Sequence, residues 1–202
     1  MVNDTRVKVS RKMALLTTDL QYDLIQKSPE REARVKEILP NIISFLMFLR
    51  ENDVLIIHQQ IICKETDHVE FFNGKIPCIK GTRGAQLVDE LKAEKDIVME
   101  KRKDSGFYET ELDDVLKANN IDTLLLAGMQ AQICIQTTGA DAYFRGYNVV
   151  AVSDCITSTL ESDKQRALSW ISGYCGKVYS SKEIMQFIQN DENIEFPVIY
   201  TP

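Results

Sequence analysis

The chain contains no Cys-x-x-Cys pair, no clustered run of lysine and arginine, no internal repeat and no apolar run approaching the length of a membrane span. Each absence closes off a class of protein. Its five cysteines, at positions 63, 78, 134, 155 and 175, are odd in number and scattered, so they provide neither a disulfide framework nor a zinc pattern. Free thiols of this kind suit a reducing compartment. With 24 basic against 30 acidic residues the formal net charge is −6, which argues against nucleic acid or an anionic membrane as the main partner and leaves a small molecule. Residues 1–12 are polar and lack the apolar centre of a signal peptide. The expectation is a soluble, cytoplasmic protein with residues 1–12 as an N-terminal extension. Histidine is scarce too, limited to His58 and His68.

What the sequence does have is apolar material: 44% of its 202 residues are hydrophobic, enough for one domain with a substantial core. Residues 1–202 are therefore expected to form a single domain. Met13 to Asp19, Val54 to His58, Ile97 to Lys101, Asp122 to Gly128, Asn148 to Ser153 and Lys177 to Tyr179 read as strands. Between them the segment ending at Glu51, a short piece from Ala85, Thr110 to Ala118, Ser162 to Tyr174 and Ser181 to Asn190 read as helices, the last capped by Ser180 or Ser181. Pro40 is expected only near a first turn or a kink. Residues 59–84, holding Gly74, Pro77, Gly81 and Gly84, read as a long loop of the kind that frames a site. Alternating strands and helices imply parallel pairing through right-handed crossovers, hence a sheet covered by helices on both faces. Ligands gather at the carboxyl ends of such strands, where the strand order reverses.

The reactive residue types fall at that edge. The run from Leu124 to Gly128 reads as a buried strand, and beyond it Ile133, Thr137, Ala140 and Phe144 recur at steps of four, three and four, the spacing of one helix face, until Gly146 supplies the stop. Cys134 therefore belongs in the first turn of a helix, where free N–H groups and the dipole favour a thiolate. The first strand ends in Asp19, the second in His58 and the third in Lys101. Singly, each reads as a loop cap, a satisfied polar strand end or a solvated lysine. Together they make an acid/base pair beside a nucleophile.

Three segments carry a resemblance: Asp19-Leu-Gln21, the stretch from Val98 through Lys101 and Phe107 to Leu112, and Ala127-Gly-Met-Gln-Ala-Gln-Ile-Cys134. With Gly81-Thr-Arg-Gly84 before the third strand, the chain resembles the isochorismatase-like cysteine hydrolases over nearly its whole length. That superfamily includes nicotinamidases, N-carbamoylsarcosine amidases, ureidoacrylate and biuret amidohydrolases and isochorismatases. The resemblance implies a Rossmann-like, three-layer α/β/α sandwich with a six-stranded, mainly parallel sheet, and a catalytic triad of Asp19, Lys101 and Cys134. Lys101 is preferred to Lys103 because the family's lysine stands six residues before the motif phenylalanine, here Phe107.

The resemblance further implies an oxyanion hole from the backbone N–H groups of Gln130 and Cys134, a cis Met129–Gln130 peptide, and a homo-oligomer, dimer or tetramer. The implied activity is hydrolysis of a non-peptide C–N bond in a small amide, urea or carbamoyl compound through a thioester, with no cofactor. Nicotinamidases of the superfamily carry a metal site built from Asp-x-His after the second strand and a further histidine. This chain reads His58-Gln59-Gln60 there, so no metal is expected. Gln21, His58, Phe107, Tyr108 and Gln132 are candidates to line the substrate pocket, although Phe107 also reads as core. Two alternatives stand beside this reading: a vinyl ether hydrolase of the isochorismatase type, some of which lack the cysteine, and a non-catalytic binding or scaffold relative.

Overall fold

Leu124, Leu125, Leu126 and Ala127 are all fully buried, a burial without alternation that only a strand covered on both faces shows. The computed structural model, which describes residues 12–67, 75–192, 194 and 196, puts this strand at the centre of the sheet. Six strands, β1 (Met13–Thr18), β2 (Leu55–Ile61), β3 (Ile97–Lys101), β4 (Thr123–Gly128), β5 (Asn148–Ile156) and β6 (Lys177–Tyr179), run in the order β3-β2-β1-β4-β5-β6. Every pairing is parallel. The expected N-terminal extension, except Lys12, and His68 and Gly74 lie outside the described residues.

Alternate side chains of the central strands feed two cores. On one face Leu15, Ile56, Leu125 and Val150 pack with α2 (Pro29–Glu51) and α6 (Ser181–Gln189). On the other, Leu16, Ile57, Leu124 and Val149 pack with α3 (Leu112–Ala118), α4 (Gln136–Phe144) and α5 (Glu161–Tyr174). This is the three-layer sandwich that the alternation of elements predicts. The remaining helix, α1 (Tyr22–Ile25), is a single turn. Ser180 caps α6 in a reciprocal pair with Glu183, which decides between the two serines considered for that role.

Some boundaries differ from the sequence reading, for physical reasons. Pro40 sits deep within α2 and not at its start. It is exposed, so water can take up the carbonyl that its ring leaves without an N–H donor. β2 continues to Ile61, and the segment from Ala85 makes only a turn of 3-10 helix, Asp89–Leu91. The face formed by Ile133, Thr137, Ala140 and Phe144 looks outward: Ile133 is 40% and Phe144 70% exposed. Cys134, Ile135, Thr138, Gly139 and Ala142 face the sheet instead. Small residues let α4 lie close, since a Cβ at Gly139 would come within 3.3 Å of Leu126. The helix also begins with a π-helical turn, Ala131–Ile135, which shifts the phase of the residues after it.

The reversal of strand order falls between β1 and β4. Gly128 ends β4 there with φ 109°, and a Cβ on it would stand 2.2 Å from the Thr18 carbonyl oxygen. Only glycine lets the two chains approach so closely.

Candidate active site

Each of the three reactive side chains is delivered by the carboxyl end of a strand. Asp19 follows β1 directly, in a left-handed conformation (φ 61°), its N–H bonded to the Gln59 carbonyl at 3.0 Å. Lys101 is the last residue of β3, and Cys134 lies in the π-helical turn after β4. Lys101 Nζ donates to Asp19 Oδ2 at 3.1 Å and approaches Cys134 Sγ at 3.4 Å. The carbonyls of Lys103 and Asp104 accept from the same ammonium at 3.2 and 3.3 Å. Lys101 is 1% exposed and surrounded by acceptors, which is how a buried cation is tolerated. Lys103 is exposed and contributes only its backbone carbonyl to this cluster. Asp19 Oδ1 is buried and has no hydrogen-bond partner.

The turn carrying Cys134 is tied down on both sides. Met129 N–H donates to the Thr18 carbonyl at 3.2 Å, and Thr18 Oγ1 donates to the Met129 carbonyl at 3.0 Å. Ala131 N–H reaches both the Thr157 carbonyl and Ser158 Oγ, at 3.1 and 3.0 Å. Thr159 N–H donates to Gln130 Oε1 at 2.9 Å. The Met129–Gln130 peptide is cis. Asp19, Gln130 and Cys134 open together into a cavity of about 370 Å³, with Leu24, Ile61, Pro77 and Met129 as apolar lining and Lys27, Arg31 and Asp104 as charged lining.

Residues 13–183 match the isochorismatase domain family. The chain belongs to that family. An Arabidopsis thaliana relative, named as a probable inactive nicotinamidase, is 34% identical over 159 residues, covering 71% of this chain and 80% of that protein. An isochorismatase-like hydrolase from Alkaliphilus metalliredigens is 28% identical with a TM-score of 0.78, covering 87% of this chain and 98% of that one. N-carbamoylsarcosine amidase from Thermoplasma acidophilum is 27% identical with a TM-score of 0.74, over 84% of this chain and 96% of that one. This isochorismatase-family chain is a hydrolase by its kinship, and its relatives include amidases.

Electrostatics in the site differ from the thiolate expected at a helix start. Burial pushes the Cys134 thiol well above its ordinary value, and the Asp19 charge pushes the same way against Lys101. Burial also raises the Asp19 carboxyl, opposed by Lys101 and by the neighbouring thiol. Burial works against the Lys101 charge, but Asp19 and Cys134 outweigh it and its pKa is raised. Lys101 is thus held in its charged form, while burial opposes ionisation of both the acid and the thiol beside it.

The other sequence candidates stand apart from the cavity. His58 is fully buried and both ring nitrogens are taken, Nδ1 by Thr17 Oγ1 at 2.6 Å and Nε2 by Asp96 Oδ2 at 3.0 Å. Gln21 is fully buried and latches backbone, donating to the Ile61 and Ala85 carbonyls at 2.9 and 2.7 Å and accepting from Ile61 N–H. Phe107 belongs to the core, stacked on Tyr147 at 5.9 Å under the Arg145 guanidinium. Tyr108 is 47% exposed and is not part of the lining of this cavity. Gln132 accepts from Ser158 Oγ at 2.7 Å and donates to Asp163 at 3.3 Å, so it braces the turn.

The metal site that the resemblance attributes to nicotinamidases does not fit the described residues at the end of β2. His58 is committed to Thr17 and Asp96, Gln59 donates to the Gly106 carbonyl at 2.7 Å, and Gln60 to the Ala85 carbonyl at 3.1 Å. Among the described residues no group of three His, Cys, Asp or Glu side chains is placed to hold an ion, and no helix is long and apolar enough to cross a membrane. Sequence reasoning missed Lys27, Arg31, Asp104 and the Thr157-Ser158-Thr159 run. Only the last left a signal, a polar stretch following a buried strand.

Proposed function

We propose that this hydrolase cleaves a non-peptide C–N bond of a small amide, urea or carbamoyl compound, with Cys134 as nucleophile. The observation that carries the reading is the single ammonium of Lys101 within reach of both the Asp19 carboxylate and the Cys134 sulfur, two groups that line the cavity. Asp19 Oδ1, buried without a partner, is the free acceptor. As the sulfur attacks the carbonyl carbon, the thiol proton passes to Asp19, and Lys101 holds the negative charge that forms between them. The carbonyl oxygen becomes an oxyanion held by the backbone N–H groups of Gln130 and Cys134; such a donor is worth about 3–4 kcal/mol in the transition state. Collapse breaks the C–N bond, and the leaving nitrogen takes the proton from Asp19. Water then attacks the thioester, gives a proton through Asp19 to the departing sulfur, and restores the thiol.

The likeness to N-carbamoylsarcosine amidase supports amide chemistry over the vinyl ether alternative, and the retained Cys134 points the same way. The name given to the Arabidopsis relative favours a second reading, a fold that has lost turnover. An ammonia-release screen over small amides, ureas and carbamoyl compounds, run with and without a chelator, separates them. Turnover unaffected by chelation is expected. No turnover on any compound supports the inactive reading, and activity lost to chelator and restored by a divalent ion would end the metal-free scheme. The homo-oligomer and the cytoplasmic setting belong to the same proposal, and light scattering on the purified protein tests the first.

A further inference from the structure

Two carboxylates flank the Cys134 sulfur, and the proposed mechanism uses one of them. Asp19 is bound to the Lys101 ammonium at 3.1 Å. The other, Asp104, lines the same cavity, with Oδ1 3.9 Å from Cys134 Sγ. Among the described residues its carboxylate joins no ion pair and meets no donor except that thiol. The main chain beneath it is fixed: the Asp104 carbonyl accepts from Lys101 Nζ at 3.3 Å and from Thr138 Oγ1 at 3.5 Å, and Ser105 Oγ donates to Asp141 Oδ2 at 2.6 Å. Asp104 is thus an exposed acid held beside the reacting sulfur. It does not help the nucleophile. Burial, then the Asp19 charge, and with them Asp104 raise the Cys134 thiol. What Asp104 can serve is the group that the sulfur attacks. A carbon bonded to Sγ brings its other substituents within reach of an oxygen 3.9 Å from that sulfur. One substituent is the oxyanion, which a carboxylate repels and which the N–H groups of Gln130 and Cys134 take in the proposed mechanism. An ionised carboxylate only accepts hydrogen bonds, so the substituent it faces is a donor. The donor common to amides, ureas and carbamoyl compounds at that carbon is the leaving nitrogen.

We propose that Asp104 sets the leaving-group specificity of this reaction: its carboxylate accepts an N–H of the leaving nitrogen, which turns the nitrogen lone pair toward the proton held by Asp19. This deepens the amidohydrolase reading and rests on it. The leaving group is one that keeps an N–H in the substrate, hence ammonia or a primary amine. An alkoxide or a disubstituted amine offers Asp104 nothing and leaves its charge facing an acceptor or a methyl group.

The test runs the cleavage backwards from a common acyl-enzyme. p-Nitrophenyl acetate acylates Cys134 with release of p-nitrophenolate, and the thioester is offered equal concentrations of hydroxylamine and N-methylhydroxylamine. The attacking nitrogen forms the C–N bond as the C–S bond breaks, one N–H proton passes through Asp19 to the sulfur, and acetohydroxamate or its N-methyl analogue leaves. Hydroxylamine keeps an N–H for Asp104, whereas its methylated partner keeps none. Mass spectrometry gives the ratio of the two products, after subtraction of what Cys134→Ala protein forms. Both products come from one thioester, so the acylation rate and the amount of folded enzyme cancel from the ratio, and a merely structural role would not move it. Asp104→Leu is expected to lower the ratio of acetohydroxamate to its N-methyl analogue at least about tenfold, the weight of one charge-assisted contact. Asp104→Asn, which keeps a neutral acceptor, should lower it by less. Should Asp104→Leu not fold, Asp104→Ala takes its place. A ratio that is the same in the wild type and in these variants overturns the assignment and leaves the hydrolase standing. A wild type that forms no more of either product than Cys134→Ala overturns the nucleophile, and the assignment falls with it.

Discussion

Replacing Asp19 by Asn is expected to make the Cys134 thiol easier to ionise while removing turnover. The carboxylate oxygen lies 3.1 Å and the sulfur 3.4 Å from the same ammonium, so oxygen and sulfur are no more than 6.5 Å apart. Two unit charges at that separation repel by about 2.6 kcal/mol at an effective dielectric of about 20. Burial, and after it this repulsion, hold the Cys134 thiol above its ordinary value, and each 1.36 kcal/mol is a factor of ten in the thiolate population. Removing the Asp19 charge raises the thiolate fraction near neutrality by about 100-fold. A thiolate of lower basicity is also a weaker nucleophile, which takes back about tenfold. The net expectation is alkylation of Cys134 by iodoacetamide about tenfold faster in Asp19→Asn, with the site identified by mass spectrometry of the labelled peptide. Turnover should fall by about 10²–10⁴, the contribution of a general base. Slower or unchanged alkylation would refute the reasoning, for it would mean that Asp19 creates the resting thiolate and does not suppress it.

Lys101→Met and Asp19→Asn, each of which disables the same proton transfer, should lower the rate about as far singly as together; a silent Lys101→Met, or effects that add, would defeat the joint assignment. Cys134→Ala should keep the fold, by circular dichroism, and lose several orders of magnitude in turnover, and a variant retaining more than a small fraction of the rate excludes a thioester. Stability should fall in alkali. Burial raises the thiols of Cys78, Cys155 and Cys175 in the fold, the last to about 11, so between the ordinary thiol value and that point the folded chain keeps protons that the unfolded chain releases. Stability is full below the unfolded pKa and declines above it, by about 4 kcal/mol per pH unit for the three together. A urea midpoint that stays constant from pH 8 to pH 10 would contradict this.

The central strands are legible in the sequence because burial on both faces demands continuous apolar runs, as from Leu124 to Ala127, and their carboxyl ends point to Asp19, Lys101 and Cys134. His58 misleads because β2 outruns its apolar run: His58 pairs in register with Thr17 and is interior, not terminal. The phase of α4 is hidden by the π-helical turn, which no apolar spacing announces, and by Ile133 and Phe144, apolar residues that face outward. Lys27 and Arg31 look in the sequence like ordinary charges around a helix start. What distinguishes Arg31 is its contact with Thr159, 128 residues away, which only the folded sheet creates.

Asp19 and Cys134 hang from adjacent strands in the middle of the sheet, whereas Lys101 ends β3, an edge strand, and reaches across the end of β2 to meet them. Edge elements open at lower free energy than the interior they cover, and β3 alternates between partly buried and exposed residues before Lys101. The site therefore inherits the fragility of the margin, although two of its three members share the stability of the centre. Local peeling of β3 withdraws the Lys101 charge, and the acid and the sulfur then face each other without a mediator. Under mild denaturant the protein would go dark while its sheet was still largely intact, so turnover should vanish at lower urea than the far-ultraviolet signal does.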